Sequence, residues 1–305
     1  MKSKKLFGNL VLLLTAIIWG CAFVAQSSGM DYVGPFTFQT SRSILGCLVL
    51  IPFILANDAI RKKNNTYEKQ NPKTLILGGI LCGTALTVAS GLQQYGMQYS
   101  TAGKGAFITA MYIVLVPILG LFMKKKVNPI IWISVILGAL GLYLLCIKED
   151  FSLGEGDIYL ILCAVAFSFH ILIVDHFSAK VDGVKLSCLQ FGVMFILSAI
   201  FMFTTEKPNM ADIKAAWLPI CYAGIMSCGV GYTLQIVGQK YTEPTVASLL
   251  MSLESVFAVI AGIILLKEAP STKEWLGCAS MFAAIIIAQI PQKSKKAENA
   301  SNNVV

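Results

Sequence analysis

The side chains that could do chemistry in this chain are a few ionisable groups inside long apolar runs. Glu254 lies in SLLMSLESVFAVIAG, with no other charged residue between Glu243 and Lys267. Arg42 lies in FQTSRSILG and His170 lies in FSFHILIV. Burying such groups among apolar side chains is costly, so each is a candidate for a function that requires it.

The chemistry expected of Glu254 is proton exchange or cation binding. A carboxyl in a low-dielectric surrounding is sensitive to its environment, and it can take up and release a proton during a functional cycle. The alternative is a permanently neutral acid, or one tied to a partner, that only joins two helices.

Arg42 and His170 have equally open interpretations. Arginine stays charged, so Arg42 must face a cavity, a carboxylate such as Glu254 or a substrate, or reach the interface by extending its side chain. His170 is either a hydrogen-bonded packing residue or part of a cavity lining.

Amides and aromatic rings near these groups are candidates for the wall of a polar cavity. Amides in apolar helices are commonly interhelical contacts, but they also suit recognition of a neutral or zwitterionic solute. Aromatic residues are more often packing or interface residues. The candidates for a cavity lining are Trp19, Arg42, His170, Gln190, Glu254, Gln94 and Tyr112.

The composition requires that membrane-spanning helices position these groups. The chain is 56% hydrophobic and 13% charged, whereas a soluble domain has about 25% charged residues. Long charge-free runs can cross a hydrocarbon core as helices that satisfy their own backbone groups. We predict ten spans, at residues 6–25, 36–56, 75–96, 103–123, 129–147, 157–174, 186–204, 217–238, 245–266 and 275–290. The first run is too long for a signal peptide and is interpreted as a retained helix.

An internal repeat divides these spans into two sets. The segment 92–126 aligns without a gap on 234–268, pairing Gln93 with Gln235 and Gly96 with Gly238. A weaker alignment pairs Trp19 with His170. Five spans in each half is an odd number, which inverts the second half relative to the first. The predicted fold is therefore an all-α integral membrane protein of two inverted five-helix repeats, at 1–149 and 150–290, followed by a cytoplasmic tail at 291–305.

The basic residues predict the orientation. The chain has 24 Lys and Arg against 16 Asp and Glu, a net charge of +8. With ten spans and the N-terminus inside, most lysines and arginines fall on the inner side, and the positive-inside rule places both termini in the cytoplasm. We predict a multi-pass protein of the cytoplasmic membrane, with the lipid bilayer rather than nucleic acid as the partner of its basic side.

Enzymatic, metal and cofactor functions find no support. The nine cysteines form no CxxC and no zinc spacing with histidine. Residues 154–157 spell GxGD, but an aspartyl protease needs a second intramembrane aspartate. No GxSxG or Walker loop occurs. We predict no enzyme activity, no cofactor and no metal.

The order of these motifs resembles the EamA type of the drug/metabolite transporter superfamily. The matching stretches are IIWGCAFVAQ, GPFTFQTSR around Arg42, STAGKGAFITAMYIVLVPILGLFMKK, and TVASLLMSLESVFAVIAGIILLKE with Glu254. Two departures stand out. Ser255 replaces a proline common after the glutamate, which suggests a straighter ninth helix, and Lys125-Lys126 replaces an acidic end of the fourth.

The resemblance implies transport of small organic solutes such as amino acids, amines or other metabolites, often outward, by alternating access. It implies a small-molecule substrate as the partner, with Glu254 as the coupling candidate and proton coupling as an added hypothesis. We predict a monomer or a homodimer. The alternatives from other classes are a channel-like permease and a membrane scaffold or sensor without transport.

Overall fold

A computed structural model describes residues 2–67, 70–99, 102–124, 127–147, 154–261 and 270–290. The first half forms six helices: α1 (Lys2–Met30), α2 (Pro35–Lys63), α3 (Pro72–Met97), α4 (Ala102–Ala110), α5 (Tyr112–Phe122) and α6 (Pro129–Cys146). The second half forms α7 (Glu155–Ser178), α8 (Gly183–Thr205), α9 (Met210–Ala215), α10 (Trp217–Cys221), a π-helical segment (Tyr222–Gly231), α11 (Tyr232–Gln239), α12 (Pro244–Met251), α13 (Glu254–Ala261) and α14 (Thr272–Gln289). The predicted tail and Lys125-Lys126 lie outside the described residues.

The helices begin where the sequence supplies capping groups. Asn-Pro pairs start α3 and α6, where the side chains of Asn71 and Asn128 accept hydrogen bonds from backbone amides at 3.0 and 3.1 Å. Proline at the first helical position has no amide hydrogen to leave unsatisfied. Asp182 caps α8 in the same way, accepting from the amides of Val184 and Lys185. These caps separate successive apolar runs into distinct helices.

The all-α membrane fold is confirmed. Among the described residues, eight helical segments are long and apolar enough to cross a membrane, and Pro129–Leu145 is a shorter apolar helix. The outer surface of the bundle exposes apolar side chains, among them Phe122 at 83% and Ile136 at 69%. Such a surface is compatible with lipid rather than water. The count of ten crossings stays a prediction, with α6 and α14 as the remaining two.

The two repeats are inverted relative to each other. Gly238, at the end of α11, approaches Gly8 near the start of α1, and the aligned Gly96, at the end of α3, approaches Gly156 at the start of α7. A Cβ at Gly96 would lie 2.9 Å from the carbonyl oxygen of Gly156, so the glycine is what permits this packing. The end of α7 lies on the face where α1 begins, which we call the N-terminal face. There Arg61, at the end of α2, pairs with Asp182 at 2.8 Å.

The interface between repeats is built from equivalent helix pairs. Helix α2 packs on α8, α6 packs on α14, and α3 packs on α7 as α1 packs on α11. Gly78, Gly79 and Gly83 form a small-residue face of α3, because a Cβ at Gly79 would lie 2.6 Å from the Cβ of Leu189. Such a pairing follows from a pseudo-twofold axis in the membrane plane.

The fourth and ninth predicted spans are each interrupted near the middle. The fourth breaks at Met111, between α4 and α5, and the ninth breaks at Ser252 and Leu253, between α12 and α13. The gapless alignment pairs Met111 with Leu253, so both repeats break at the same place. The expectation that Ser255 leaves the ninth helix straighter is therefore wrong, since the break precedes this residue and needs no proline there.

The eighth predicted span contains a long π-helical segment. Tyr222–Gly231 is wider than an α-helix, and it is flanked by α10 and α11. Its tyrosine Tyr222 donates a hydrogen bond to the carbonyl of Ile18 in α1, at 3.1 Å. Wide helical turns occur mostly at functional sites, and this one borders the cavity described next.

Candidate functional site

A cavity lies at the centre of the bundle, between the two repeats. It is lined by side chains from both halves, namely Trp19, Phe23, Gln26, Arg42, Gln93, Thr109, Tyr112, Phe167, His170, Ile171, Ser227, Tyr232, Gln235, Met251 and Glu254. Five of the seven residues predicted to line a cavity belong to this set. The other two, Gln94 and Gln190, lie behind it and contact its wall.

Glu254 meets its repeat equivalent at the centre of this cavity. The break before α13 places Glu254 in the first turn of that helix, where it is 7% exposed. The same break places Tyr112 at the start of α5, and its hydroxyl donates to Oε1 of Glu254 at 3.2 Å. The alignment that pairs Gln93 with Gln235 also pairs Tyr112 with Glu254. The repeat equivalents therefore touch across the pseudo-twofold axis.

Arg42 is held by an amide and not by Glu254. Its guanidinium donates to Oε1 of Gln26 at 2.8 Å, and Gln94 donates to the same oxygen at 3.4 Å. The guanidinium carbon lies 5.7 Å from the ring centre of Phe38. No salt bridge joins Arg42 to Glu254 within the described residues. The cavity therefore contains a cation and a carboxyl that do not satisfy each other.

His170 completes an aromatic and amide wall. Its Nε2 lies 3.2 Å from Oε1 of Gln190, and its ring is edge-on to Tyr232, with centroids 6.1 Å apart. Tyr232 also contacts Trp19, at a centroid distance of 4.5 Å. The weak alignment pairs Trp19 with His170, and the two line the same cavity from opposite repeats.

Several buried polar atoms of this site have no hydrogen-bond partner among the described residues. They are Nε1 of Trp19, Nε of Arg42, Nδ1 of His170, Nε2 of Gln190 and Oε1 of Gln235. Buried polar groups in proteins are nearly always paired, with water or a ligand where protein groups are lacking. The grouping of five such atoms at one cavity makes this cavity a candidate site for a polar molecule.

The cavity is narrow in this conformation. Its volume is about 40 Å³, enough for water but far below the roughly 300 Å³ at which ligand pockets begin. An organic solute therefore requires the helices around it to move apart. The breaks at Met111 and Leu253 place interrupted helices where such a movement is needed.

Of the ten lining residues that the sequence analysis did not list, two had a weak signal in their spacing from other candidates. Gln26 lies seven positions after Trp19, on the same face of α1. Tyr232 lies three positions before Gln235 on α11. Neither is charged, and without the packing nothing distinguishes them from other polar residues near helix ends.

The arrangement suits recognition of a small polar solute. Arg42 can bind a carboxylate, Glu254 can bind an ammonium group or a proton, and the aromatic rings can pack on an apolar portion. The described residues contain no group of three or more metal-ligating side chains.

Similar proteins agree with this architecture. Residues 6–147 and 154–289 each match the EamA-like transporter family. A protein of Archaeoglobus fulgidus named an uncharacterized transporter is 30% identical over 289 residues, covering 94% of this chain and 87% of that protein. A chloroplastic WAT1-related protein of Arabidopsis thaliana is 24% identical, covering 92% of this chain and 69% of its own length.

A solved crystal structure has the same fold. It superposes with a TM-score of 0.77, at 17% identity, covering 93% of this chain and 96% of that one. The family matches fall on the two halves that the internal repeat defines. This chain belongs to the EamA-like transporter family.

Proposed function

We propose that this membrane transporter is a secondary exporter of small organic metabolites that carry both a carboxylate and an amine, such as amino acids. Amines and related solutes are a second, chemically similar class of candidate substrates. The solute binds between the repeats, and alternating access carries it across the cytoplasmic membrane. A single chain contains both repeats, so a monomer suffices, and a homodimer is equally compatible.

The observation that carries this proposal is the content of the central cavity. Arg42 and Glu254 are 3% and 7% exposed, line one cavity and bond to neutral partners rather than to each other. Burying two such groups unpaired is unfavourable unless a function requires it. A zwitterion supplies the complementary charges, with its carboxylate toward Arg42 and its ammonium toward Glu254.

Proton coupling is assigned to Glu254. The carboxyl binds either a proton or the solute ammonium, and Tyr112 orients one of its oxygens in both cases. Competition between proton and solute for one site links their movements in opposite directions. The transporter then exports the solute in exchange for protons that move into the cell.

The N-terminal face is assigned to the cytoplasm. Arg61, Lys62, Lys63, Lys180, Lys185 and Lys240 lie at this face, at the ends of α2, α7 and α11 and the start of α8. Helix α1 begins and α14 ends at this face, since Asn9 of α1 donates to Gln289 of α14 at 2.6 Å. The concentration of basic side chains supports a cytoplasmic location.

The proposal is tested by counterflow in proteoliposomes. Vesicles loaded with one solute from a panel of amino acids and amines are diluted into the labelled solute, and saturable labelled uptake is expected for at least one carboxylate-bearing amine. Flux that rises linearly with concentration would indicate a channel-like permease instead. Absence of flux for the whole panel would favour the scaffold or sensor and contradict the proposal.

A further inference from the structure

A second cavity opens at the N-terminal face. It has a volume of about 540 Å³ and lies between α5, α6, α7 and the connection from α11 to α12. Its lining includes Gly120, Asn128, Leu172, Gln239 and Thr245. We call it the vestibule. It is large enough for a metabolite, whereas the central cavity is not.

Only a thin layer of protein separates the vestibule from the central cavity. Gln235 lines the central cavity and Gln239, one helical turn later, lines the vestibule. Nε2 of Gln235 donates to Oε1 of Gln239 at 3.0 Å, and Nε2 of Gln239 donates to the carbonyl of Ile171 in α7 at 3.0 Å. Ile171 lines the central cavity and Leu172 lines the vestibule. Two amide side chains and one turn of α7 therefore form part of the barrier, beside α5, where Tyr112 lines the central cavity and Val116 lines the vestibule.

The amide layer has an unused acceptor. Gln235 is 1% exposed, and its Oε1 has no hydrogen-bond partner among the described residues. A buried amide oxygen in this condition is suited to accept from a solute or water passing between the two spaces. Gln239 uses its own amide to hold α11 against α7, so the layer is closed by hydrogen bonds that a polar solute can replace.

The equivalent position in the first repeat is apolar. The gapless alignment pairs Gln235 with Gln93 and Gln239 with Met97. Gln93 lines the central cavity, as Gln235 does. One turn later, however, the sulfur of Met97 occupies the position that a Cβ at Gly105 would take. At this aligned position a thioether packs on a glycine, and a thioether offers a solute no strong hydrogen bond.

We propose that the vestibule is the solute's entry from the N-terminal face, and that Gln235 and Gln239 form a hydrogen-bonding gate into the central cavity. The gate favours solutes with several donors and acceptors, which exchange their hydrogen bonds with the amides as they pass. The identity of the passing solute rests on the proposed function. The path between the two cavities does not.

The gate is tested first by an accessibility measurement that requires no transport. Ser227 lines the central cavity and is 3% exposed, so the change Ser227→Cys places a thiol there with little change in volume. Cys228→Ala removes the adjacent native thiol. A membrane-impermeant thiol reagent is added to the N-terminal face of sealed vesicles, and labelling at position 227 is followed by mass spectrometry.

Adding Gln239→Ala should raise this labelling rate roughly three- to tenfold, since it removes the hydrogen bond from Gln239 to α7 and the bond that Gln239 accepts from Gln235 within α11. The matched control is Gln289→Ala, which removes the bond from Asn9 on the same face but lines neither cavity. An unchanged rate with Gln239→Ala, or an equal rise with Gln289→Ala, would overturn the gate.

A transport measurement then tests the role of the amides. Gln239→Met copies the residue of the other repeat and retains bulk while removing the polar gate. Exchange of a solute that the wild-type protein transports should slow at least about threefold, with Gln289→Met at the wild-type rate. Full-rate exchange by Gln239→Met would overturn the gate. If the wild-type protein transports nothing, the proposed function fails, whereas the labelling result still decides the path.

Discussion

At the residue scale, the site depends on two ionisable groups that the structure keeps apart. Arg42 donates to Gln26, and Glu254 accepts from Tyr112. The sequence shows that both groups interrupt apolar runs, so both were predicted as candidates. Their hydrogen-bond partners could not be predicted, because these partners depend on packing between helices that are far apart in the sequence.

Replacing Glu254 by Gln should remove the pH dependence of transport. Glutamine keeps the size of the side chain and can still accept from Tyr112, but it cannot exchange a proton. Initial rates of counterflow are measured across a pH series. Glu155→Gln is the control, since this exposed carboxyl lies in the first turn of α7 and lines neither cavity. A pH profile unchanged by Glu254→Gln would remove Glu254 from the coupling step.

Replacing Arg42 by Met should discriminate between solutes. A hydrogen bond to a charged group contributes about 1.5–3 kcal/mol, so the KM for a carboxylate-bearing solute should rise roughly 10- to 100-fold. The KM for the corresponding amine without a carboxylate should change little. Equal effects on both solutes would show that Arg42 has a structural role only.

At the element scale, the interrupted helices were the least predictable feature. Hydropathy locates continuous spans at 103–123 and 245–266, but it carries no signal for breaks at Met111 and Leu253. Pro117, the proline of this span, lies six residues beyond the first break, inside α5. The aligned location of both breaks indicates that packing at the pseudo-twofold axis, and not a local breaker residue, determines them.

Helices α1 and α13 pack so closely at Gly20 that any side chain at this position should disturb their packing. A Cβ there would lie 2.7 Å from the Cβ of Phe257 and 2.8 Å from the carbonyl oxygen of Glu254. Gly20→Ala should therefore destabilise the protein by about 1–3 kcal/mol, measured as a lower thermal unfolding midpoint in detergent. Gly192→Ala is the control, because its nearest neighbour is the sulfur of Cys47 at 4.0 Å. Equal midpoints for both variants would contradict the close packing.

Glu206, which follows α8 in the second repeat, joins the two repeats by capping the start of α2 in the first repeat. Its carboxylate accepts from the backbone amides of Phe36 and Thr37 at 2.8 Å each, at the start of α2. Glu206→Ala should cost about 0.5–2 kcal/mol, as loss of a helix cap does. Glu243→Ala, at a helix start without a side-chain cap, should leave the unfolding midpoint near that of the wild type. A midpoint unaffected by Glu206→Ala would show that solvent replaces the cap.

At the scale of the whole molecule, the sequence predicted the architecture better than the site. The repeat and the charge-free runs specify two related sets of helices, and an odd number of spans in each inverts the second set. The vestibule was not predictable, since Gly120, Leu172 and Gln239 come together only through the packing of different helices. At the aligned position of the first repeat, Met97 takes the place of Gln239.

The orientation gives a prediction for the whole chain. Reporters fused at each terminus should both lie in the cytoplasm, and a reporter inserted near Gly154 should lie outside, because five spans precede it. Protease protection in sealed vesicles measures this. A cytoplasmic location for the reporter near Gly154 would contradict the inverted repeats.

The central claim is that both repeats enclose one cavity that opens to each side of the membrane in turn. It is tested most directly by labelling the Ser227→Cys, Cys228→Ala protein with an impermeant thiol reagent from either face. The account predicts labelling from both faces, with protection from both when a transported solute is present. Labelling from one face alone, or labelling that no transported solute prevents, would contradict it.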